Sequence, residues 1–426
     1  MSISIDEKPK KKQMIFKSRG DATRAIILTF FIFLVVGYQA FVYGMLTIPM
    51  SEHFHIPQSR LIFYDSFGMW GQLIAMFISG FLISRIKGVN TILLGAVIML
   101  VVQLLSVYAP NIELYTLCTF FTNVAVGFML MPCTYLIAGS VEEEGKNQGL
   151  LSIVNVFFSI GATLSPFFTG LLIAKVSWEA VFFLNVILFM LVILVIFTLK
   201  IREYYEHEVN AMQAAAKQEK PAAGMQFITL PFVLTGLALF LMMYVEQIIN
   251  YFFQPYLHSN MQISIESVGA IMMMYAIGQA GGRLLFGKFL LPKIKIYKYI
   301  MTATILFMLL LVVFLQLKTY LAFMVIGIVL GLADSCLYPS IYGYGIDQLD
   351  GTNSKAISIL GCSGVLGIPF GTGISGLIGE HFDKTTAIAI APVLLLVICI
   401  LIFWIHKLRS QRAQSGAQEI TAVASI

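Results

Sequence analysis

Two carboxylic acids interrupt stretches otherwise fit to cross a lipid bilayer. Glu246 lies within LFLMMYVEQIINYFFQPYL (Leu239–Leu257), which has no Lys or Arg, and Asp334 lies within VLGLADSCLYPS. An ionised acid at the centre of a spanning helix costs about 2.5–3.5 kcal/mol on insertion scales, so such acids face a bundle interior or a wet cavity. Helical spacing puts Glu246 with Asn250 and Phe253, and sets Gln247, Tyr251 and Gln254 on the adjoining stripe. Asp334 shares a face with Tyr338 and Tyr342. An acid can carry a proton, and amides and phenols can hold a neutral or zwitterionic solute. That is the chemistry of proton-coupled binding. The competing role for each acid is a structural hydrogen bond between helices.

The elements that must position these groups follow from composition. Hydrophobic residues make up 58% and charged residues 12%, with a mean hydropathy of +0.87, against roughly 45–50% and ~25% in soluble domains. Apolar runs of spanning length, about 20 residues, fall near 25–48, 62–84, 90–109, 114–140, 148–175 and 179–199. A second series falls near 229–257, 265–288, 297–316, 319–346, 354–379 and 386–406. The expectation is an all-α membrane protein with twelve transmembrane helices in two six-helix pseudo-symmetric bundles, 25–199 and 229–406. They are joined by a polar linker, 200–228, and flanked by a basic tail, 1–24, and a second tail, 407–426. Of the 27 Lys and Arg, 23 fall in the tails, the linker and the loops on one side; Arg60, Lys175, Lys318 and Lys384 fall on the other. Positive residues stay cytoplasmic, so both termini and the linker are expected inside. The net charge of +5 then reports topology and not nucleic-acid binding.

Other chemistries find little support. The five cysteines, Cys118, Cys133, Cys336, Cys362 and Cys399, sit inside spans without metal-ligand spacing and read as packing residues. No pair of histidines flanks a glutamate as in a zinc protease. No cleavable signal is expected, since the first apolar run is a full span behind a long basic tail. The expected partners are a small polar solute, protons and the lipid bilayer, with no cofactor, no metal and no nucleic acid, in a monomer that is not an enzyme. The acidic triad Glu142–Glu144 reads as a solvated loop.

The halves also echo each other. At an offset of about 206 residues Pro49 meets Pro255, Gly71-Gln72 meets Gly278-Gln279, and Gly80 meets Gly287. At about 203, Gly161 meets Gly364, Pro166 meets Pro369 and Gly170 meets Gly373. Such a parallel repeat is the pattern of transporters with a site near the midplane.

On these residues a family resemblance emerges. LYPSIYGYGIDQLDGTNSKAISILGCSGVLGIPFGTGISGLIG (Leu337–Gly379) resembles the tenth and eleventh helices of the fucose:proton symporter family within the major facilitator superfamily. HFHIPQSRLIFYDSFGMWGQLIAMFISGFLISRIKG and EGKNQGLLSIVNVFFSIGATLSPFFTGLLI resemble its TsgA-like branch. The resemblance implies a bacterial inner-membrane, multi-pass carrier, usually proton coupled, whose first, fourth, seventh and tenth helices line a central cavity. Glu246 and Asp334 would then be the proton-coupling candidates. Solute candidates on those helices are Gln39, Tyr43, Asn123, Gln247, Asn250, Tyr251, Tyr338 and Tyr342, with Thr47 and Thr134 nearby. Gating candidates are Arg85, Arg283 and Asp65, with Asp65 near the outer mouth and Arg283 either pairing with an acid or reaching toward the headgroups. Glycines crowd the eighth and eleventh helices and suit surfaces that approach and slide.

The sequence departs from the family in two places. GFLISRIKG has Ser84 where the superfamily loop has an aspartate, and GKFLLPKIK also lacks an acid. A latch usually made by that aspartate must be made otherwise. Met45 and Pro132 occupy positions where the sugar symporters carry acids, so fucose specificity does not follow. The overall expectation is uptake of a sugar, amino acid or nucleoside by alternating access. The alternatives are an exporter of amphipathic compounds and a solute sensor that does not transport.

Overall fold

A computed structural model describes residues 15–140, 146–205, 229–347 and 354–424. Helices account for nearly all of it. Among the described residues the only strand-like feature is one antiparallel bridge between Phe16 and Glu203. Most of the linker and the triad Glu142–Glu144 lie outside the described residues.

The first span is Arg19–Ala40 continued by Val42–His53, with the break at Phe41. It starts six residues ahead of the apolar run because Ser18 caps it. The Ser18 hydroxyl accepts from the Asp21 amide at 3.1 Å and donates to the Asp21 carboxylate at 2.8 Å, satisfying donors that a helix start leaves open. The second to sixth spans are Gln58–Ile86, Gly88–Val107, Ile112–Gly139, Lys146–Lys175 and Glu179–Leu199. The seventh is Leu230–Pro255 with a wide final turn, Tyr256–Asn260, and the eighth is Ile265–Leu285. The ninth is Ile296–Phe314, the tenth Tyr320–Asp334 followed by Leu337–Ile346, the eleventh Ser354–His381, and the twelfth Lys384–Ala424. Eleven of these are long and apolar enough to cross a membrane. The eighth has the length, but Glu266, Gln279, Arg283 and its glycines dilute its apolar character.

Packing divides the chain into two compact units. The first holds residues 1–42, 68–165 and 177–221; the second holds 43–67, 166–176 and 222–426. The division does not follow the linker, because the far ends of the first, second and fifth spans pack with the second half.

Lipid is as apolar as Leu, so helices in a bilayer associate through close packing of small residues and interhelical hydrogen bonds. In the first unit a Cβ at Gly37 would fall on the Phe158 carbonyl, and one at Gly161 on the Leu34 carbonyl, so the first and fifth spans touch backbone to backbone. Gln103 donates to Thr122 and accepts from Asn185, each at 3.3 Å, which ties the third, fourth and sixth spans. In the second unit Gly331 and Gly278 bring the tenth and eighth spans together at the Tyr275 and Ile328 carbonyls, and Gly367 meets the Phe240 carbonyl of the seventh. Large apolar side chains on the sixth and twelfth spans, such as Ile187, Leu194, Phe197, Leu396, Ile400 and Phe403, remain exposed, as a lipid-facing surface requires.

One structure, next to the start of the first span, belongs wholly to the first unit. Ile15, Phe16 and Lys17 run along Arg202–Tyr204: the Lys17 amide donates to the Arg202 carbonyl at 3.1 Å and the Tyr204 amide to the Ile15 carbonyl at 2.8 Å. The Glu203 side chain is buried, and its Oε1 accepts the Val89 amide at 2.8 Å in the first turn of the third span. Lys87, at positive φ just before that helix, donates to the Glu203 carbonyl at 3.2 Å and rests on the Tyr205 ring. Glu203 is thus the acid at the GFLISRIKG loop, supplied from beyond the sixth span where Ser84 cannot serve. Burial pushes its carboxyl up to about 6, against the pull of the Val89 and Gly88 amides and Lys87.

Candidate functional site

The second unit gathers two intramembrane acids and their neighbours on three helices. Asp334 ends the first segment of the tenth span and is 2% exposed. Its Oδ2 accepts the Tyr275 hydroxyl at 2.6 Å and also the Gln279 amide, which donates to the Tyr275 hydroxyl as well. Its Oδ1 has no partner. Glu246, half-buried on the seventh span, lies within electrostatic reach of Asp334 and of Arg283 on the eighth. Two acids, one guanidinium, a phenol and an amide therefore converge inside one unit.

A proline explains why the tenth span breaks beside Asp334. Pro339 has no amide hydrogen to give the Ser335 carbonyl four residues back, and its ring crowds that carbonyl. The helix opens at Ser335–Cys336, and Arg283 donates its Nε–H to the Ser335 carbonyl at 3.2 Å. Arg283 thus serves as the replacement donor for a backbone group that Pro339 orphans, while its charge sits near both acids.

The break also separates groups that spacing had put on one face. Asp334 turns to Tyr275 and Gln279, whereas Tyr338 lies near Glu246, stacks with Tyr342 at 6.2 Å, and packs against Gly364 of the eleventh span. Gln247 and Tyr251 are each 7% exposed, Gln247 against Gly371 and Tyr251 near Asp65 and Tyr43. The Asn250 carbonyl faces Gly44. In the first unit Gln39 is buried with neither amide atom partnered, Asn123 donates to the Thr119 carbonyl of its own helix, and Arg85 is exposed over the Phe81 ring. Thr47 and Thr134 bond back to Tyr43 and Leu130 on their own helices. Asp65, expected near solvent at the mouth, is instead 3% exposed with no hydrogen-bond partner for either oxygen.

Sequence reasoning missed Tyr275 and Gln279. The signal was present: Tyr275, Gln279 and Arg283 recur every four residues and form one polar stripe on the eighth span. Among the described residues no cluster of His, Cys, Asp or Glu is arranged to hold a metal ion.

Comparison with known proteins agrees with the fold. The Major Facilitator Superfamily profile matches residues 28–245 and 235–424. A TsgA homolog of Buchnera aphidicola is 21% identical over 86% of this chain and 91% of its own length. A TsgA homolog of Edwardsiella ictaluri is 22% identical over 90% and 95%. Among solved structures, a mutant of the nucleoside transporter NupG superposes with a TM-score of 0.71 at 13% identity, covering 90% of this chain and 99% of that one. A bacterial homolog of the lysosomal transporter Spinster, inward-facing and unoccupied, gives 0.68 at 12%, covering 92% and 98%.

Proposed function

The chain belongs to the major facilitator superfamily, and on that premise we propose that it takes up a small polar solute together with protons by alternating access. It is a membrane transporter of bacterial type; the direction, the coupling ion and the solute class are our reading. Both termini and the linker are cytoplasmic, because 23 of 27 basic residues fall in the tails, the linker and the loops of the same parity and short basic loops resist translocation. The observation that carries the reading is the convergence of Glu246, Asp334 and Arg283 with Tyr275 and Gln279 in an otherwise apolar layer.

Glu246 is the group that exchanges the proton. Asp334 is held by two neutral donors, and Glu246 faces the same guanidinium with the greater access to solute and water. A proton on Glu246 leaves the Arg283 charge to act on Asp334 alone; its release toward the cytoplasm restores two acids competing for one cation. At 100 mV each inward proton supplies ~2.3 kcal/mol, which sustains roughly a forty-fold solute gradient. Amides and phenols around the acids suit uncharged or zwitterionic solutes, so neutral sugars, amino acids and nucleosides form the screening set.

Glu246→Gln keeps the side chain's shape and mimics the protonated acid. With a solute found by thermal-shift screening, the variant in proteoliposomes is expected to bind and to exchange solute for solute. It should lose accumulation driven by a pH gradient. A variant that still concentrates solute when the outside is acidified would move the coupling elsewhere.

A further inference from the structure

We propose that Asp65 is a second proton-binding site, one that controls closure of the outer entrance: the helix ends seal over it only while its carboxyl is protonated. This rests on the reading of the chain as a proton-coupled carrier with that face outward.

The seal lies wholly within the second unit. Asp65 sits two turns into the second span, and that end of the helix packs on the eleventh at three successive glycines. Gly373 meets Ser66, Gly376 meets Phe63, and Gly379 meets Ser59. The fifth span closes on the eighth in the same manner, with Gly269 against the Pro166 carbonyl and Lys175 paired with Glu266 at 3.1 Å. Gln58 accepts a hydrogen bond from Ser259 at 3.1 Å. Packing as close as this leaves Asp65 3% exposed, with both oxygens unpartnered. Gln254, pressed against Gly44 in the same seal, has neither amide atom partnered.

Among the described residues no cation pairs with the carboxyl; Lys384 and Asp383 lie at the rim, lining a pocket with Ser59 and Gly379. Of the titratable groups on the helices packed here, Tyr251 of the seventh span is near it, with Tyr43 of the first beside Tyr251, and a phenol is neutral at ordinary pH. Arg60 is engaged with Glu380 at 3.9 Å on the rim, while His381 and His258 bond to the Leu377 and Ile263 carbonyls. Tyr64 is its chain neighbour, and Glu246 is more than a turn before Tyr251 along the seventh span. A carboxylate taken from water with neither a hydrogen bond nor a counter-charge is far costlier than a neutral acid. The closed packing therefore selects the neutral form. When the ends part, water reaches the carboxyl and the proton leaves to it. Closure takes up one proton, so the closed-to-open ratio falls by up to about tenfold per pH unit once the open-state carboxyl is ionised.

The test is a distance measurement with no transport in it. Spin labels replace the exposed His53 and Phe382, both at the mouth, in otherwise cysteine-free protein in nanodiscs. The wild-type background is expected to shift from a short to a long separation as pH rises from 5 to 9. Asp65→Asn should stay short throughout, and Asp65→Glu should keep the pH dependence. Glu246→Gln should also keep it, even where it abolishes accumulation, which separates this inference from the reading above. A wild-type distance indifferent to pH would overturn the proposal. So would an Asp65→Asn protein with the wild-type slope, or a slope lost in Glu246→Gln and retained in Asp65→Asn.

Discussion

Replacing Glu203 by glutamine turns the terminal clasp into a quantitative test. In the structure the Glu203 carboxyl is buried, spends one oxygen on the Val89 amide, and leaves the other without a partner. Burial lifts its pKa from 4.5 to about 6. A raised pKa means that the closed clasp binds the proton more tightly than the released segment does. Its extra stability is complete below pH 4.5 and is lost as pH rises through 6. At 1.36 kcal/mol per pH unit, the loss amounts to about 2 kcal/mol, or roughly a thirty-fold fall in the closed-to-open ratio. Hydrogen exchange in nanodiscs reads this ratio directly at the Tyr204 amide, which donates to Ile15, and at the Val89 amide. After correction for intrinsic exchange, wild-type protection at these amides should fall by about thirty-fold between pH 3.5 and 7.5, roughly half of that factor lying above pH 4.5. In Glu203→Gln it should be flat. The glutamine Nε2 takes the place of an oxygen that has no partner, so the absolute level changes by the ~1–3 kcal/mol of an unmade bond. The slope is the quantity tested. A variant with the wild-type slope would refute the assignment of the titration to Glu203.

Two further outcomes follow from the packing. Pro339→Ala returns an amide to the Ser335 carbonyl, so Arg283→Ala should cost less thermal stability in that background than alone; a coupling of about 0.5–3 kcal/mol in the double-mutant cycle is expected, and strict additivity would remove Arg283 from the break. Gly331→Ala places a methyl on the Tyr275 carbonyl and should lower stability by about 1–3 kcal/mol, whereas Gly281→Ala, with nothing within 4 Å of the added carbon, should leave melting in detergent unchanged or slightly raised.

The twelve helices were legible because their signal is length and apolarity, read one segment at a time. The acids were legible for the same reason, since a lone Glu246 or Asp334 stands out against hydrocarbon. Their partners were less so. The turn at Ser335–Cys336 rotates Asp334 away from Tyr338, and helical periodicity carries no information across such a break, although Pro339 announced one. Asp65 looked exposed because it lies near a helix end. Its burial depends on glycines of the eleventh span some three hundred residues away, and no local pattern encodes that approach. Glu203 was invisible for a related reason: a missing acid at Ser84 shows that a latch is wanted but not which distant segment supplies it.

The clasp also has a consequence for biosynthesis. Ile15–Lys17 leave the ribosome ahead of every span, yet the chain they pair with, Arg202–Tyr204, follows the sixth span. The Val89 amide at the head of the third span likewise waits for Glu203. The amino-terminal segment can therefore reach its place only after six helices have been made and threaded. Its docking therefore waits for the completion of the first half and for the opening residues of the linker.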